Sequence, residues 1–456
     1  MKIRITLAIF MCKLTRGVLR LFRRGGTALP GKVAIKICPD LLKHLAKDVK
    51  SVAITGTNGK TTSARMLEQF FIDSGAGYFT NKSGSNLLRG ITAEFAINAT
   101  MTGKPKREYA IIECDEAASK KVFEYLNPAV VLVTNVFADQ LDRFGDIGAI
   151  LENIRIGVKN APNASVCLNA DDPLTSSIAD DIPNKVVFYV VNTEIYKGQA
   201  DELYTSINCI HCGNAYEYDY RTYGHLGGFR CAACGFARKN PDVAVIEITM
   251  QDADSQTVKL CAFDETSDVT INLPGGYNIY NAAGAIAASE EMGFSLEAAK
   301  AAMMSFECGF GRMEKFDLGG VLIRMILVKN AVGCSQALSY LCSLPDEIMI
   351  AISINDRIAD GTDISWIQDV GFEKLLDMGV KLRGILVSGI RAEDMAGRLA
   401  DAGIPDEQIR VFKDQGEMLE AALGQDAPVL IMPTYTAMLE LRSIISKKFG
   451  VKEYWE

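Results

Sequence analysis

The sequence predicts an α/β protein built on parallel sheets, and three observations carry that expectation. Short apolar, β-branched runs recur at 52–54, 109–112, 129–133, 321–328, 348–353, 384–387 and 429–432, and the later ones alternate with helical stretches, as crossover connections require. The first of these runs breaks directly into a glycine-bounded loop followed by helix-forming sequence. At 456 residues the chain is also too long for one core, so roughly two or three domains are expected.

Composition narrows the class. Apolar residues make up 48% and charged residues 23%, as in globular proteins that stay in solution. The net charge of −8 argues against a body built to hold nucleic acid. Residues 1–24 depart from that balance, with seven basic side chains (Lys2, Arg4, Lys13, Arg16, Arg20, Arg23, Arg24) and no acid. Within them Leu7, Phe10, Leu14, Val18 and Leu21 fall at steps of three and four, an apolar stripe suited to an anionic membrane surface or to docking on the chain's own domain. The apolar stretch is too short to span a bilayer and no clear cleavage site follows it, so neither a transmembrane segment nor export is expected. Of twelve cysteines, eight stand singly among apolar residues and four are paired, which fits a reducing cytoplasm.

In order along the chain, 23–32 is a turn-rich connector and Leu41 to Ala46 a short helix. The loop Gly56-Thr57-Asn58-Gly59-Lys60-Thr61-Thr62 then reads as a nucleotide-phosphate cradle. Its glycines let backbone N–H groups turn inward and the next helix points its positive end at the same spot. Lys60 would reach the β/γ-phosphates and the Thr61 hydroxyl would hold Mg²⁺. Ile54 stands where the usual P-loop has its first glycine. The run at 109–112 ends in Glu113-Cys114-Asp115-Glu116 and that at 129–133 in Thr134-Asn135, polar groups placed where ligands of parallel sheets bind; a carboxylate there could complete the Mg²⁺ shell.

From about 204 to 242 the periodicity stops, and Cys209-Ile210-His211-Cys212 is followed after eighteen residues by Cys231-Ala232-Ala233-Cys234. Two such pairs close a tetrahedral thiolate shell around Zn²⁺ with no open position, a structural site. His211 and His225 read as its neighbours. Strand-like sequence resumes at 243–250 and 258–263, and Asn278 and Asn281 share one face of the alanine-rich helix that follows.

The loop resembles that of the Mur ligases and folylpolyglutamate synthases, which use ATP to convert a carboxylate into an acyl phosphate for attack by an amine. Leu168-Asn169-Ala170-Asp171-Asp172-Pro173 and the link Cys308-Gly309-Phe310-Gly311-Arg312-Met313-Glu314 resemble the same superfamily. Three features together are similar to its MurT branch, the Mur-ligase-like subunits of lipid II isoglutaminyl synthases: the cysteine pairs, Asp139-Gln140-Leu141-Asp142-Arg143, and the loop Ile354-Asn355-Asp356-Arg357-Ile358-Ala359-Asp360-Gly361-Thr362-Asp363.

That resemblance implies a basic arm and connector at 1–50, a central ATP-binding domain at 51–307 carrying the zinc ribbon, and a Rossmann-like α/β domain at 308–456. It selects Glu113 for Mg²⁺, makes Asn278 and Asn281 nucleotide contacts, and places Arg312 where it can swing onto a phosphate. Gln140 stands where Mur ligases usually have histidine, and Ile154 where many have a carbamoylated lysine, so no bridging carbamate is expected. The implied reaction amidates the α-carboxylate of D-glutamate in the lipid II stem, giving D-isoglutamine at the cytoplasmic side of the membrane. The chain has three histidines and no convincing Cys–His pair, so ammonia is expected from a separate GatD-type glutaminase whose triad an aspartate here completes: Asp360, with Asp363 and Asp356 as alternatives. The competing readings are an amino-acid-adding ligase of the Mur or folylpolyglutamate type, and an ATP-dependent regulator whose zinc ribbon binds nucleic acid.

Overall fold

The computed structural model describes residues 2–21, 28–81, 85–137, 147–195, 207–307, 309, 311–425 and 427–451. The first sheet contains β1 (Lys50–Thr55), β2 (Tyr78–Thr80), β3 (Tyr109–Glu113), β4 (Val130–Val133), β5 (Ser165–Asn169) and β6 (Val186–Val191), all parallel to their neighbours. A separate hairpin, β7 (Glu217–Arg221) and β8 (Gly227–Arg230), interrupts it. It is then widened by β9 (Val243–Gln251), β10 (Gln256–Ala262) and β11 (Glu265–Ile271), giving the order β11-β10-β9-β6-β5-β4-β1-β3-β2. β9 adds in parallel to β6, whereas β10 and β11 fold back antiparallel.

Side-chain alternation explains why these strands carry helices on both faces. Val52, Ile54, Ile111, Val130 and Leu132 enter one apolar cluster with the helices Lys60–Ser74 and Tyr277–Glu291. Ala53, Ala110, Ile112, Val131 and Val133 enter a second, with the helices Leu88–Ile97, Ser119–Leu126 and Ile147–Lys159. Ile154 lies fully buried there.

The basic N-terminal segment belongs to that second layer. The helix Lys2–Leu21 buries Ala8, Ile9 and Cys12, and Ala34, Leu41, Leu42 and Leu45 of the next two helices join the same cluster. Leu7, Phe10, Leu14, Val18 and Leu21 point outward.

The second sheet comprises β12 (Arg312–Leu318), β13 (Val321–Ile326), β14 (Ile348–Ser353), β15 (Leu382–Ser388), β16 (Ile409–Val411) and β17 (Val429–Pro433), in the order β12-β13-β17-β14-β15-β16. Only the β12–β13 pairing is antiparallel. The carboxyl end of β13 and the start of the helix Ala331–Ser343 face the loop after β1.

Candidate active site

The loop after β1 is tightly specified. Gly56 and Gly59 adopt φ values of 121° and 86°, and a Cβ on Gly59 would come within 2.0 Å of Asn281 Oδ1. Asn135, just past β4, grips the next residue from both sides: its Oδ1 accepts the Asn58 N–H at 3.0 Å and its Nδ2 donates to the Asn58 carbonyl at 3.1 Å. The Thr57 hydroxyl accepts the Phe137 N–H at 3.0 Å. The helix Lys60–Ser74 starts directly after Gly59, so the positive end of its dipole faces the loop.

The parallel register sets Ile54 beside Glu113, and the polar strand ends meet as the sequence leads one to expect. The Thr61 hydroxyl donates to Glu113 Oε2 at 2.9 Å. Glu113 is itself positioned by Asn81, which accepts its N–H and donates to its carbonyl, each at 2.8 Å. Of the acids that follow, Asp115 accepts the Ala117 and Ala118 N–H groups, and burial with the neighbouring Glu116 pushes its carboxyl above the usual range. Glu116 instead reaches Lys60 at 2.7 Å. Lys60 also donates to the Gly56 carbonyl and, at 3.2 Å, to that of Thr57. Thr61 and Glu113 together offer the hard oxygen donors that Mg²⁺ takes beside phosphates.

The opposite wall comes from the helix Tyr277–Glu291 and the second sheet. Asn281 Nδ2 donates to Asn278 Oδ1 at 2.9 Å, and Asn278 Nδ2 to the Pro274 carbonyl at 2.6 Å, so the two asparagines form one buried unit against Gly59. Lys329 donates to the Thr57 carbonyl at 3.4 Å and Asn330 to Asn58 Oδ1 at 3.2 Å. A cleft between the sheets is lined by Asn58, Gly59, Thr62, Arg312 and Gln336, with Tyr223 among its apolar walls. Three buried polar atoms of these residues lack a hydrogen-bond partner: Asn58 Nδ2, Arg312 Nε and Gln336 Oε1. Buried groups of this kind need satisfying, and a polar ligand with phosphates and an aromatic ring fits the lining.

The four cysteines converge. The sulfurs of Cys209, Cys212, Cys231 and Cys234 all lie within 4.8 Å of one another, with Cys209–Cys234 at 3.6 Å and Cys212–Cys231 at 3.5 Å. A tetrahedron of Zn–S bonds of about 2.3 Å has edges of about 3.8 Å, so the donor set fits Zn²⁺. Each knuckle closes on a glycine with positive φ, Gly213 or Gly235, whose N–H donates to the first cysteine's carbonyl. The Asn214 side-chain amide holds the Cys212 thiol down to about 6. His211 stands outside the cluster, 3.2 Å from Asp180.

His225 connects this ribbon to the cleft. It is buried, 3.0 Å from Asp172 Oδ1, and Asp172 also accepts the Val136 N–H at 2.8 Å. Val136 lies between Asn135 and Phe137, the two residues that hold the phosphate loop.

The aspartates after β14 separate clearly. Asp360 is buried and accepts the Thr436 N–H and hydroxyl, each at 2.6 Å, at the start of the helix Tyr435–Phe449. Asp356 is half-buried and pairs with Arg391 at 2.8 Å. Asp363 is exposed, and hydrogen bonds from Ser365 hold its carboxyl below the usual range. Asp139 to Arg143, with Gln140, lie outside the described residues, as do Cys308 and Phe310. Sequence reasoning missed Gln336 and the His225–Asp172 link; a lone glutamine among the apolar residues of a buried helix was the available signal for the first.

Comparison with known proteins places these features. The model of the Mur ligase middle domain matches residues 54–226 and that of the MurT ligase C-terminal domain residues 327–438. The chain is similar to the lipid II isoglutaminyl synthase (glutamine-hydrolyzing) subunit MurT of Streptococcus pneumoniae, at 32% identity over 456 residues and 99% of both chains. In fold it is similar to a pseudomurein peptide ligase type C from Methanothermus fervidus, with TM-score 0.66, 22% identity, and coverage of 90% of this chain and 80% of that one. A folylpolyglutamate synthase of Mycobacterium tuberculosis, complexed with ADP and AMPPCP, is similar at TM-score 0.62 and 15% identity, covering 91% and 94%.

Proposed function

The chain belongs to the MurT family and is an ATP-dependent ligase subunit of the lipid II isoglutaminyl synthase type, and on that premise we propose how its residues divide the reaction. ATP lies in the cleft between the sheets with its phosphates on Gly56 to Thr62 and its far end against Asn278, Asn281 and Gln336. Mg²⁺ held by Thr61 and Glu113 supplies charge neutralisation at the phosphate oxygens. Lys60 leaves Glu116 for the phosphates, and Arg312, whose Nε is buried without a partner, meets the γ-phosphoryl group as it transfers.

The acceptor is the α-carboxylate of D-glutamate in the lipid II stem. Transfer yields an acyl phosphate and ADP; ammonia then adds to the acyl carbon and phosphate leaves, giving D-isoglutamine. The single observation that carries this reading is the Thr61–Glu113 contact of 2.9 Å beside a phosphate loop that the second sheet touches through Lys329 and Asn330.

Ammonia comes from a GatD-type glutaminase. The cysteines Cys114, Cys167 and Cys334 are buried, and desolvation pushes their thiols up, the reverse of what a nucleophile needs. Asp363 is the aspartate that completes the partner's triad, because its carboxylate is ionised and open while that of Asp360 is spent on Thr436. Ile358, 81% exposed in the same loop, offers the partner an apolar contact. The four-cysteine cluster holds Zn²⁺ as a structural ion. Among the described residues no helix is long and apolar enough to cross a membrane. The chain meets its lipid-linked substrate from the cytoplasmic side, as a peripheral protein.

The test is amidation of lipid II by the purified chain with ATP and ammonium, and with glutamine once a GatD-type partner is added. Amidated stem with ADP release is expected. Absence of both product and ATP hydrolysis overturns the reading, and incorporation of a free amino acid in place of ammonia turns it into that of an amino-acid-adding ligase.

A further inference from the structure

The helix Lys2–Leu21 has two apolar faces, and only one is used. Ala8, Ile9 and Cys12 are fully buried against the body of the first sheet. On the opposite side Ile3, Leu7, Phe10, Leu14, Val18 and Leu21, at steps of four, three, four, four and three, form a continuous stripe; Ile3 and Leu21 are 86% and 81% exposed and the four between them 46–49%. Six large apolar side chains aligned along one face are not the scattered single exposures of an ordinary surface.

The charge on the helix has one sign. The helix carries Lys2, Arg4, Lys13, Arg16 and Arg20 and no acid. Arg4 donates to the Ile37 carbonyl, Lys13 to that of Ala99, and Arg16 pairs with Glu94, so three of the five also pin the helix to the body. The loop after the helix Leu88–Ile97 adds to the same region. Gly103 packs toward Ile5, and Lys106 lies near enough to Lys13 to lower its pKa, behind burial as the main cause. Lys104 and Arg107 of that loop are exposed.

From this arrangement we infer that the outer face of the helix Lys2–Leu21 is a membrane-docking surface: it lies in the plane of an anionic lipid bilayer, its six apolar side chains entering the acyl boundary and the surrounding lysines and arginines meeting lipid phosphates. A rigidly held helix pays little ordering entropy on binding, since its inner face is already packed. The occupant is a lipid surface and not a second copy of the chain, because two copies meeting through this face would set the exposed Lys2, Arg4 and Arg20 of one helix against those of the other, with no carboxylate on either helix to offset them. The inference rests on the reading of a lipid-linked substrate and deepens it. The helix Leu88–Ile97 on which the docking helix rests follows Asn86, whose carbonyl accepts the Asp115 N–H beside Glu113, so the membrane face and the Mg²⁺ side of the cleft belong to one packed unit.

Flotation of the full-length chain with vesicles tests it. Phosphatidylglycerol vesicles should capture the chain, phosphatidylcholine vesicles should capture about tenfold less, and raising the salt should weaken capture. Replacing Leu7→Ser, Phe10→Ser and Leu14→Ser together should lower capture by about tenfold or more. Ammonia-dependent amidation of a water-soluble, short-chain lipid II analogue should stay unchanged, which separates failure of docking from failure of the chemistry. Val18→Glu, at an exposed position, serves as a second variant with the same expected loss should the triple variant melt early. Equal capture of wild type and Val18→Glu by phosphatidylglycerol overturns the inference, as does capture of the wild type by neutral vesicles with the same affinity. A wild type that is dimeric in solution and becomes monomeric on Val18→Glu assigns the face to a second copy and overturns it too.

Discussion

The loop after β1 and the loop after β14 occupy equivalent places, each leaving the carboxyl end of a strand in the middle of its sheet, yet they are finished differently. After β1 the loop is held within the chain by Asn135, Lys329 and Asn330 and packed against Asn281, and Asn58, Arg312 and Gln336, each with a buried polar atom lacking a partner, line a cleft of small-molecule size. After β14, Asn355 and Asp360 hold the loop to the helix Tyr435–Phe449, while Asp363 and Ile358 are left outside. The first loop is held on all sides within the chain. The second is stiff at its base and open at its tip, the form that the proposed contribution to a partner's catalysis requires.

The sharpest way to break that contrast is to remove Lys60. Lys60→Ala should lower ammonia-dependent and glutamine-dependent amidation together, by about 10³-fold or more, because charge on the moving phosphoryl group is then uncompensated. The melting temperature should fall as well, since the buried Glu116 loses its ion-pair partner, so both activities are compared per folded protein. Loss of one activity and not the other would show that the loop after β1 is not the common site.

Next in size is the separation of the two aspartates. Asp363→Asn should cost about 10²-fold or more in glutamine-dependent amidation and leave the ammonia-dependent rate within about twofold, the mark of a triad orienter in another chain. Asp360→Asn should instead weaken two buried hydrogen bonds to Thr436 and destabilise the fold by about 1–3 kcal/mol, lowering both activities in proportion to the folded fraction. Thermal melting and the two assays, run side by side, decide it; a stable Asp360→Asn chain that loses only glutamine-dependent activity would reverse the assignment.

The four-cysteine ribbon offers a third comparison, between the proposed structural site and the chemical one. Cys231→Ser should release Zn²⁺, measured by metal analysis, and lower the melting temperature by several degrees, with whatever activity survives keeping the same ratio of ammonia to glutamine use. Retained zinc and an unchanged melting curve would remove the ribbon from the folding of the chain.

Where backbone geometry and chemistry demand particular residues close in sequence, these features are legible in the chain. Gly56 and Gly59 need positive φ, Lys60 and Thr61 follow at fixed spacing, the cysteines come in knuckles, and the runs at 348–353 and 429–432 mark the strands β14 and β17. What the sequence hides is set by contacts between distant segments. The amphipathic stripe at 7–21 is visible, but that a second, smaller-residue face of the same helix does the docking depends on Ala8, Ile9 and Cys12 meeting helices much further along the chain. The short strand β2 and the edge strand β16 have too few residues to show periodicity, and Asp360 and Asp363 look alike until Thr436, 76 residues on, claims one of them. Gln336 is invisible for the same reason, since its significance comes from the cleft it lines.

The smallest expected effect concerns how firmly the loop after β1 is held from behind. His225 pairs with Asp172, Asp172 takes the Val136 N–H, and the flanking Asn135 and Phe137 fix Asn58 and Thr57. Shortening this chain of contacts at its far end should loosen the phosphate loop without touching ATP. His225→Gln keeps a donor near Asp172 but not its reach, so KM for ATP should rise by about three- to tenfold while kcat stays within about twofold, and His225→Ala should move KM further in the same direction. A structural fault alone would lower the active fraction, and with it kcat, and leave KM where it was. A shift in KM that appears in both ammonia- and glutamine-driven reactions would place the effect in the nucleotide cleft, because only the loop after β1 is common to the two; a shift confined to glutamine would tie His225 to the loop after β14 and undo the contrast between them.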